Sequence, residues 1–236
     1  MRKPFQFKQF NLMDEKSAMK LSTDAVLLGS LIQPVKTGFV LDIGTGSGII
    51  SLMIAQQSDT VIDAIDIDPD SIEEARLNFQ NSKWKSQLNA VHCSLKDFVN
   101  TSSKQYDLVV SNPPYFSNSF KSPDLSRTIS KHNDQLSRHE LLHGADQHLH
   151  PQGSFWVIIP FDGVSSFSEL AKSAGLYLQQ EFVIFPKRNK PANRVVMEFR
   201  KNKPKEIESK KLIIRNLNGS YTNKYKMVTK DFYLKF

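Results

Sequence analysis

Cysteine occurs once in these 236 residues, at Cys93. A lone thiol closes no internal disulfide, so the fold cannot rely on covalent staples. Cys93 reads as a small buried hydrophobe in a cytoplasmic protein. No apolar run reaches the length of a membrane span. The basic start, Met1-Arg2-Lys3-Pro4, is followed by no continuous apolar segment, which argues against a secretory leader. There is no internal repeat and no low-complexity tract. No close His/Cys cluster has metal-ligand spacing, so no metal is expected. What remains has ordinary globular composition, with 39% apolar and 23% charged residues. That predicts a packed core within one domain of 236 residues.

The distribution of charge is uneven. Lys and Arg number 31 against 24 Asp and Glu, a formal net charge of +7. Residues 187–236 hold 15 basic and 4 acidic side chains, a net of +11, while residues 1–186 are mildly acidic at −4. Basicity confined to one end of the chain, in Lys187, Arg188 and Lys190 and the lysines from Lys201 to Lys211, reads either as a solvated lysine-rich tail or as a grip on the backbone of a polyanion larger than any small ligand.

Short apolar runs alternate with longer amphipathic stretches. Strands are expected over 39–43, 61–66, 88–93, 106–111, 153–160, 180–185 and 195–200. Helices are expected over 16–33, 49–57, from Pro69 through Phe79, over 136–149 and over 167–174. Pro69 at a first helical position and the early Glu73 and Glu74 mark one helix start. Alternation of this kind predicts an α/β fold: a mostly parallel seven-stranded sheet, helices on both faces, ending in an antiparallel hairpin. Residues 39–200 form the sheet core, 1–38 a segment lying over it, and 201–236 a basic extension of unassigned structure.

Two turns carry the chemistry. The first, Asp42-Ile43-Gly44-Thr45-Gly46-Ser47-Gly48, joins the first core strand to a helix. Gly44, Gly46 and Gly48 permit a sharp turn and close approach of a ligand, and helix-start N–H groups bind polar or anionic groups. About 20 residues on, Asp66 ends the next strand, where a carboxylate accepts hydrogen bonds from ribose hydroxyls. Glycines at every second position do not match the Gly-x-Gly-x-x-Gly dinucleotide fingerprint. The acid at Asp42 suits a cofactor with a cationic amino group and would repel a pyrophosphate. This turn resembles the cofactor loop of class I S-adenosylmethionine-dependent methyltransferases, which implies a Rossmann-like fold and S-adenosyl-L-methionine as cofactor.

The second turn is Asn112-Pro113-Pro114-Tyr115, at the end of the 106–111 strand. Two prolines end the strand at the edge where the cofactor is expected and fix the local backbone. The Asn112 side-chain oxygen and the Pro113 carbonyl form a pair of acceptors suited to a weakly nucleophilic, π-conjugated amine. Tyr115 is suited to stack on the planar group that bears it. The motif resembles that of amino-group methyltransferases acting on adenine in DNA or RNA, guanine in ribosomal RNA, or glutamine in release factors.

The flanks narrow the resemblance. Phe5-Gln6-Phe7-Lys8-Gln9-Phe10 with Ala18-Met19-Lys20-Leu21-Ser22-Thr23-Asp24 is similar to the start of bacterial tRNA(Val) adenine-N(6) methyltransferases, and the likeness runs to the closing Tyr221-Thr222-x-x-Tyr225. It implies tRNA as partner, the adenine 3′ of the anticodon as target, no membrane association and no obligate protein partner. It also implies that Thr23 and Asp24 fold over the methionine end of the cofactor. Asp97 resembles the acid near the cofactor adenine, with Ser94 as the competing position. Between 116 and 137 the family tends to carry an Arg-His pair. Here Lys131-His132 stands in its place and offers a point charge rather than a bidentate fork to phosphate. The rival readings are the other amino-group methyltransferases, and a non-catalytic nucleoside- or RNA-binding domain on the same fold.

Overall fold

Strands form where short runs of branched and aromatic residues leave no polar face. In the computed structural model, which describes residues 3–17, 20–34, 36–114 and 136–235, the chain begins with two short paired strands, β1 (Phe5–Gln6) and β2 (Asn11–Leu12), and helix α1 (Thr23–Leu31). Then follow β3 (Thr37–Ile43), α2 (Ile49–Ala55), β4 (Asp59–Asp66), α3 (Pro69–Gln80), β5 (Leu88–His92), α4 (Leu95–Thr101) and β6 (Tyr106–Ser111). The second half contains α5 (Arg138–His148), β7 (Leu149–Pro160), a 3-10 turn (Phe161–Gly163), α6 (Val164–Ser173), β8 (Tyr177–Lys187), β9 (Arg194–Arg200), β10 (Glu208–Arg215) and α7 (Asn223–Thr229).

The central sheet runs in the order β10-β8-β9-β7-β6-β3-β4-β5. Only β9 is antiparallel to its neighbours, so the other seven strands end on one edge. From β3 the chain builds outward through β4 and β5, then returns to β6 on the other side. The crevice at this reversal is where open α/β sheets place ligands. Alternate residues of each strand enter two separate cores. Val40, Leu108, Val110, Trp156 and Ile158 pack against α1, α2 and α3. Leu41, Val109, Phe155, Val157 and Ile159 pack against α4, α5 and α6.

Three expectations change. The sheet has eight strands, because the lysine-rich tail supplies β10. Leu212 of β10 is buried, and the ammonium groups of Lys210 and Lys211 lie 5.1 and 4.2 Å over the rings of Phe182 and Phe185. Lysines that lay their stems on aromatic rings keep their charge in water while protecting an edge strand. The expected hairpin exists as β8–β9, but it lies inside the sheet with β10 outside it. The N-terminal helix starts at Thr23 rather than Lys16, capped by the Ser22 hydroxyl, because residues 13–17 are drawn onto α3 instead.

Leu212→Ala is expected to lower the unfolding free energy by about 2–5 kcal/mol, the cost of a fully buried leucine. Urea denaturation checks this. A change below about 0.5 kcal/mol would mark the tail as peripheral.

Candidate functional site

The glycine turn hangs from the neighbouring strand. The Gly44 and Thr45 N–H groups both donate to the Ile65 carbonyl, at 2.9 and 3.0 Å. Gly44, Gly46 and Gly48 have φ of 71°, 55° and 83°. A side chain at Gly48 would enter the Phe79 ring, whereas a Cβ at Gly44 meets nothing within 4 Å. Gly48 thus lets α2 pack tightly on α3, and Gly44 leaves open space in front of the turn. That space is a cavity of about 450 Å³, a size usual for a small-molecule site. Gly44, Gly46, Asp66, Ile67, Ser94, Pro113 and Pro114 contribute to its wall.

Asp66 stands where expected. Its Oδ2 accepts from Gly46 N–H at 2.9 Å and its Oδ1 from Asp68 N–H at 2.9 Å, which fixes the carboxylate against the turn. Burial raises its pKa above the ordinary carboxylate value.

Asp42 is placed differently from the expectation of direct cofactor contact. It is fully buried beneath the turn and absent from the cavity wall. Its Oδ2 accepts from the Thr45 and Ser51 hydroxyls, each at 2.7 Å. Its Oδ1 has no hydrogen-bond partner. Desolvation pushes its pKa from 3.8 up to about 6, against the lowering effect of the two hydroxyls. The residue therefore braces the turn from behind.

The segment that reaches over the cavity is not Thr23-Asp24. Asp24 Oδ2 accepts from Arg194 Nε at 2.8 Å, and Thr23 lines a separate groove between the two chain ends. Ser17 reaches the cavity instead. It is held there by Glu74, a carboxylate only 3% exposed. Glu74 Oε1 accepts from the Glu15 and Lys16 N–H groups at 2.6 and 2.9 Å, and its Oε2 accepts from Ser17 N–H at 2.8 Å. One turn along α3, Asn78 accepts from Met13 N–H and donates to the carbonyls of Met13 and Ser47, so it ties this segment to the glycine turn. Sequence reasoning missed both residues. Their spacing of four places two polar groups on one helical face, beside the buried Ile72, Ala75 and Phe79.

On the opposite wall, Ser94 lines the cavity and Asp97 does not. Ser94 caps α4, accepting from Asp97 N–H at 3.1 Å, while its hydroxyl donates to Asp97 Oδ2 at 2.7 Å. The cap draws the exposed Asp97 carboxylate to the helix start, against the Ser94 hydroxyl. Cys93, expected in the core, is half-buried on the same wall.

The Asn-Pro-Pro turn closes the site. β6 pairs with β3 in parallel register, Ser111 opposite Ile43, and Ser111 Oγ donates to the Ile43 carbonyl at 2.9 Å. The residues that follow each strand therefore leave the sheet side by side. Pro113 and Pro114 line the cavity, and Asn112 is buried just behind them. Lys187 ends β8 on the same sheet edge, followed by Arg188 and Lys190, well along the edge from the cavity. Arg188 Nε donates to Asn216 Oδ1. Tyr115, Lys131 and His132 lie outside the described residues. Among the described residues no His/Cys/Asp/Glu cluster could hold a metal ion, and no helix is long and apolar enough to cross a membrane.

The geometry has counterparts among known proteins. A family model described as "Methyltransferase small domain" matches residues 17–165. A tRNA1(Val) (adenine(37)-N6)-methyltransferase of Bacteroides fragilis (strain YCH46) is 39% identical over 232 residues, 98% of either chain. A relative with the same description from Phocaeicola vulgatus is 41% identical over 98% of this chain and 97% of its own. Among solved structures, a predicted O-methyltransferase from Agrobacterium tumefaciens superposes with a TM-score of 0.66, covering 89% of this chain and 96% of that one. At 16% identity that likeness establishes the fold alone.

Asp42 generates a pH prediction. Its folded-state pKa is raised, so the stability it contributes is complete below pH 3.8 and is lost as pH rises through about 6. Asp42→Asn keeps an acceptor for the two hydroxyls and removes the buried charge. Urea denaturation from pH 4 to 8 is expected to show the variant more stable above pH 6, by about 3 kcal/mol, and flatter between pH 4 and 6. Equal pH profiles would mean that the folded state does not raise the Asp42 pKa.

Proposed function

This chain belongs to the family of tRNA1(Val) (adenine(37)-N6)-methyltransferases, and on that premise we propose that it moves the methyl group of S-adenosyl-L-methionine to the 6-amino group of an adenine in tRNA, the adenine 3′ of the anticodon of tRNA(Val). The single observation that carries the reading is the cavity bounded on one side by the glycine turn and Asp66 and on the other by Pro113 and Pro114. A site for a cofactor alone needs the first wall. The second is needed only if an amine must meet it.

The residues present fit the cofactor. The open space before Gly44, the carboxylate of Asp66 for ribose hydroxyls and the apolar Ile67 and Leu95 beside Ser94 suit a nucleoside. When bound, the cofactor supplies a methyl group already activated by a sulfonium. The chain's own task is then alignment. The Asn112 side-chain oxygen and the Pro113 carbonyl accept the two amine hydrogens, and Pro113-Pro114 holds both acceptors rigid. This favours a pyramidal nitrogen whose lone pair faces the methyl, and the same fixed dipoles stabilise the positive charge that develops on nitrogen. No strong base is required, because the methylated amine is acidic enough to release its proton to water. Tyr115 is suited to stack on the adenine, Lys131 to offer a point charge to phosphate and His132 to meet a phosphate or base.

In this reading residues 1–236 act as one methyltransferase unit in the cytoplasm. Residues 1–38 help cover the cofactor, 39–200 supply the reaction centre, and 201–236 complete the sheet and its basic end. Lys187, Arg188 and Lys190 grip RNA phosphates, a contact that weakens steeply with salt.

The direct test offers labelled S-adenosyl-L-methionine to total tRNA, ribosomal RNA, DNA and release factor in parallel. Label is expected in tRNA as N6-methyladenosine. Label only in guanine of ribosomal RNA, in DNA or in release factor would assign the chain to another amino-group methyltransferase. No label in any pool would support a binding domain. Asn112→Ala is expected to lower turnover on tRNA by about 100-fold or more, while calorimetry shows S-adenosylhomocysteine still bound. Loss of that binding instead would mean that Asn112 belongs to the cofactor site.

A further inference from the structure

Phe161 follows the last residue of β7 and stands at the carboxyl edge of the sheet, 47% exposed. A single exposed aromatic residue is common on protein surfaces and says little by itself. Its position says more. Ser111 of β6 is opposite Val157 of β7, so β6 gives way to the Asn112-Pro113-Pro114 turn beside the last residues of β7. Phe161, which follows Pro160, therefore emerges at the same edge of the sheet, on the strand next to that turn. On its other side Pro160 is opposite Arg194 of β9, and Phe161 N–H donates to the Asn193 carbonyl at 3.2 Å. The 3-10 turn after it leads into α6, where Arg138 Nη1 reaches Ser166 Oγ at 2.9 Å. An apolar ring is thus presented at the sheet edge on a backbone held by the β9 side.

We propose that Phe161 is the stacking surface for the unpaired nucleotide adjoining the reacting adenine. This rests on reading the chain as an RNA methyltransferase. The sheet order gives the direction. The cofactor cavity lies toward β3, β4 and β5, whereas Phe161 lies on the far side of Asn112, toward β7 and β9. A base on Phe161 therefore lies across the acceptor turn from the cofactor, the place of a neighbour of the reacting base. Continuing the same way along the edge come Lys187, Arg188 and Lys190 at the end of β8. The strand of RNA leaves the site over an aromatic ring and reaches the basic ridge, the combination that holds single-stranded RNA.

Steady-state kinetics on the full chain with varied tRNA and saturating cofactor test this. Phe161→Ala is expected to raise KM for tRNA by roughly fivefold to a hundredfold. The kcat, S-adenosylhomocysteine affinity and unfolding midpoint should stay at wild-type values. Phe161→Trp should restore KM. Phe39→Ala, which removes a comparably exposed ring from the opposite edge of the sheet, should leave KM unchanged. A KM for Phe161→Ala within about twofold of wild type, failure of Trp to rescue, or an equal effect of Phe39→Ala would each overturn the proposal. So would an effect on kcat or cofactor affinity alone. If the wild-type protein methylates no tRNA, this proposal falls with the functional reading. If it does and Phe161→Ala is silent, only this one falls.

Discussion

The site depends on the parallel pairing of β3 with β6. Val40 lies opposite Leu108 and Ile43 opposite Ser111, and the Ser111 hydroxyl ties the two strand ends together. A shift of one residue would turn every side chain of β6 to the other core. It would also move Asn112-Pro113-Pro114 out of step with Gly44. Both strands are apolar on both faces, so two cores resist that slip. In the proposed function the glycine turn serves a cofactor and the proline turn an amine. The register makes them one site.

Buried carboxylates support this arrangement without facing the ligand. Asp42 braces the glycine turn through Thr45 and Ser51, and Glu74 holds residues 15–17 at the cavity mouth through three backbone N–H groups. Glu74 is well compensated, whereas Asp42 keeps one oxygen unpartnered. Its burial, which the two hydroxyls only partly offset, is why its proton affinity is raised. The mild acidity of residues 1–186 suits a cationic cofactor, while the net of +11 over residues 187–236 suits a polyanion. The two ligands thus meet opposite fields at one sheet edge.

Much of this is legible in the sequence because certain residues force a backbone geometry. Glycines at every second position and a double proline at a strand end locate both turns, and the alternation of apolar runs gives the sheet and its core strands. What is not legible depends on partners distant in sequence. Glu74 reads as an early-turn acid until the N-terminal segment is seen to supply its donors. Asp24 reads as a cofactor contact until Arg194, 170 residues away, is seen to hold it. Lys210 and Lys211 read as a solvated tail because charge conceals an edge strand whose lysine stems lie on aromatic rings. Asp97 and Ser94 cannot be ranked from spacing, because the helix cap that separates them is itself a three-dimensional contact.

The central claim is that the β3–β6 register sets the methyl donor beside the amine acceptors. A crystal structure with S-adenosylhomocysteine tests it most directly. The account predicts the ribose on Asp66, the adenine against Ser94 and Leu95, and the sulfur on the Pro113–Pro114 side with its vacant methyl direction toward Asn112. A sulfur turned away from Pro113, or a cofactor bound outside the glycine turn, would contradict it.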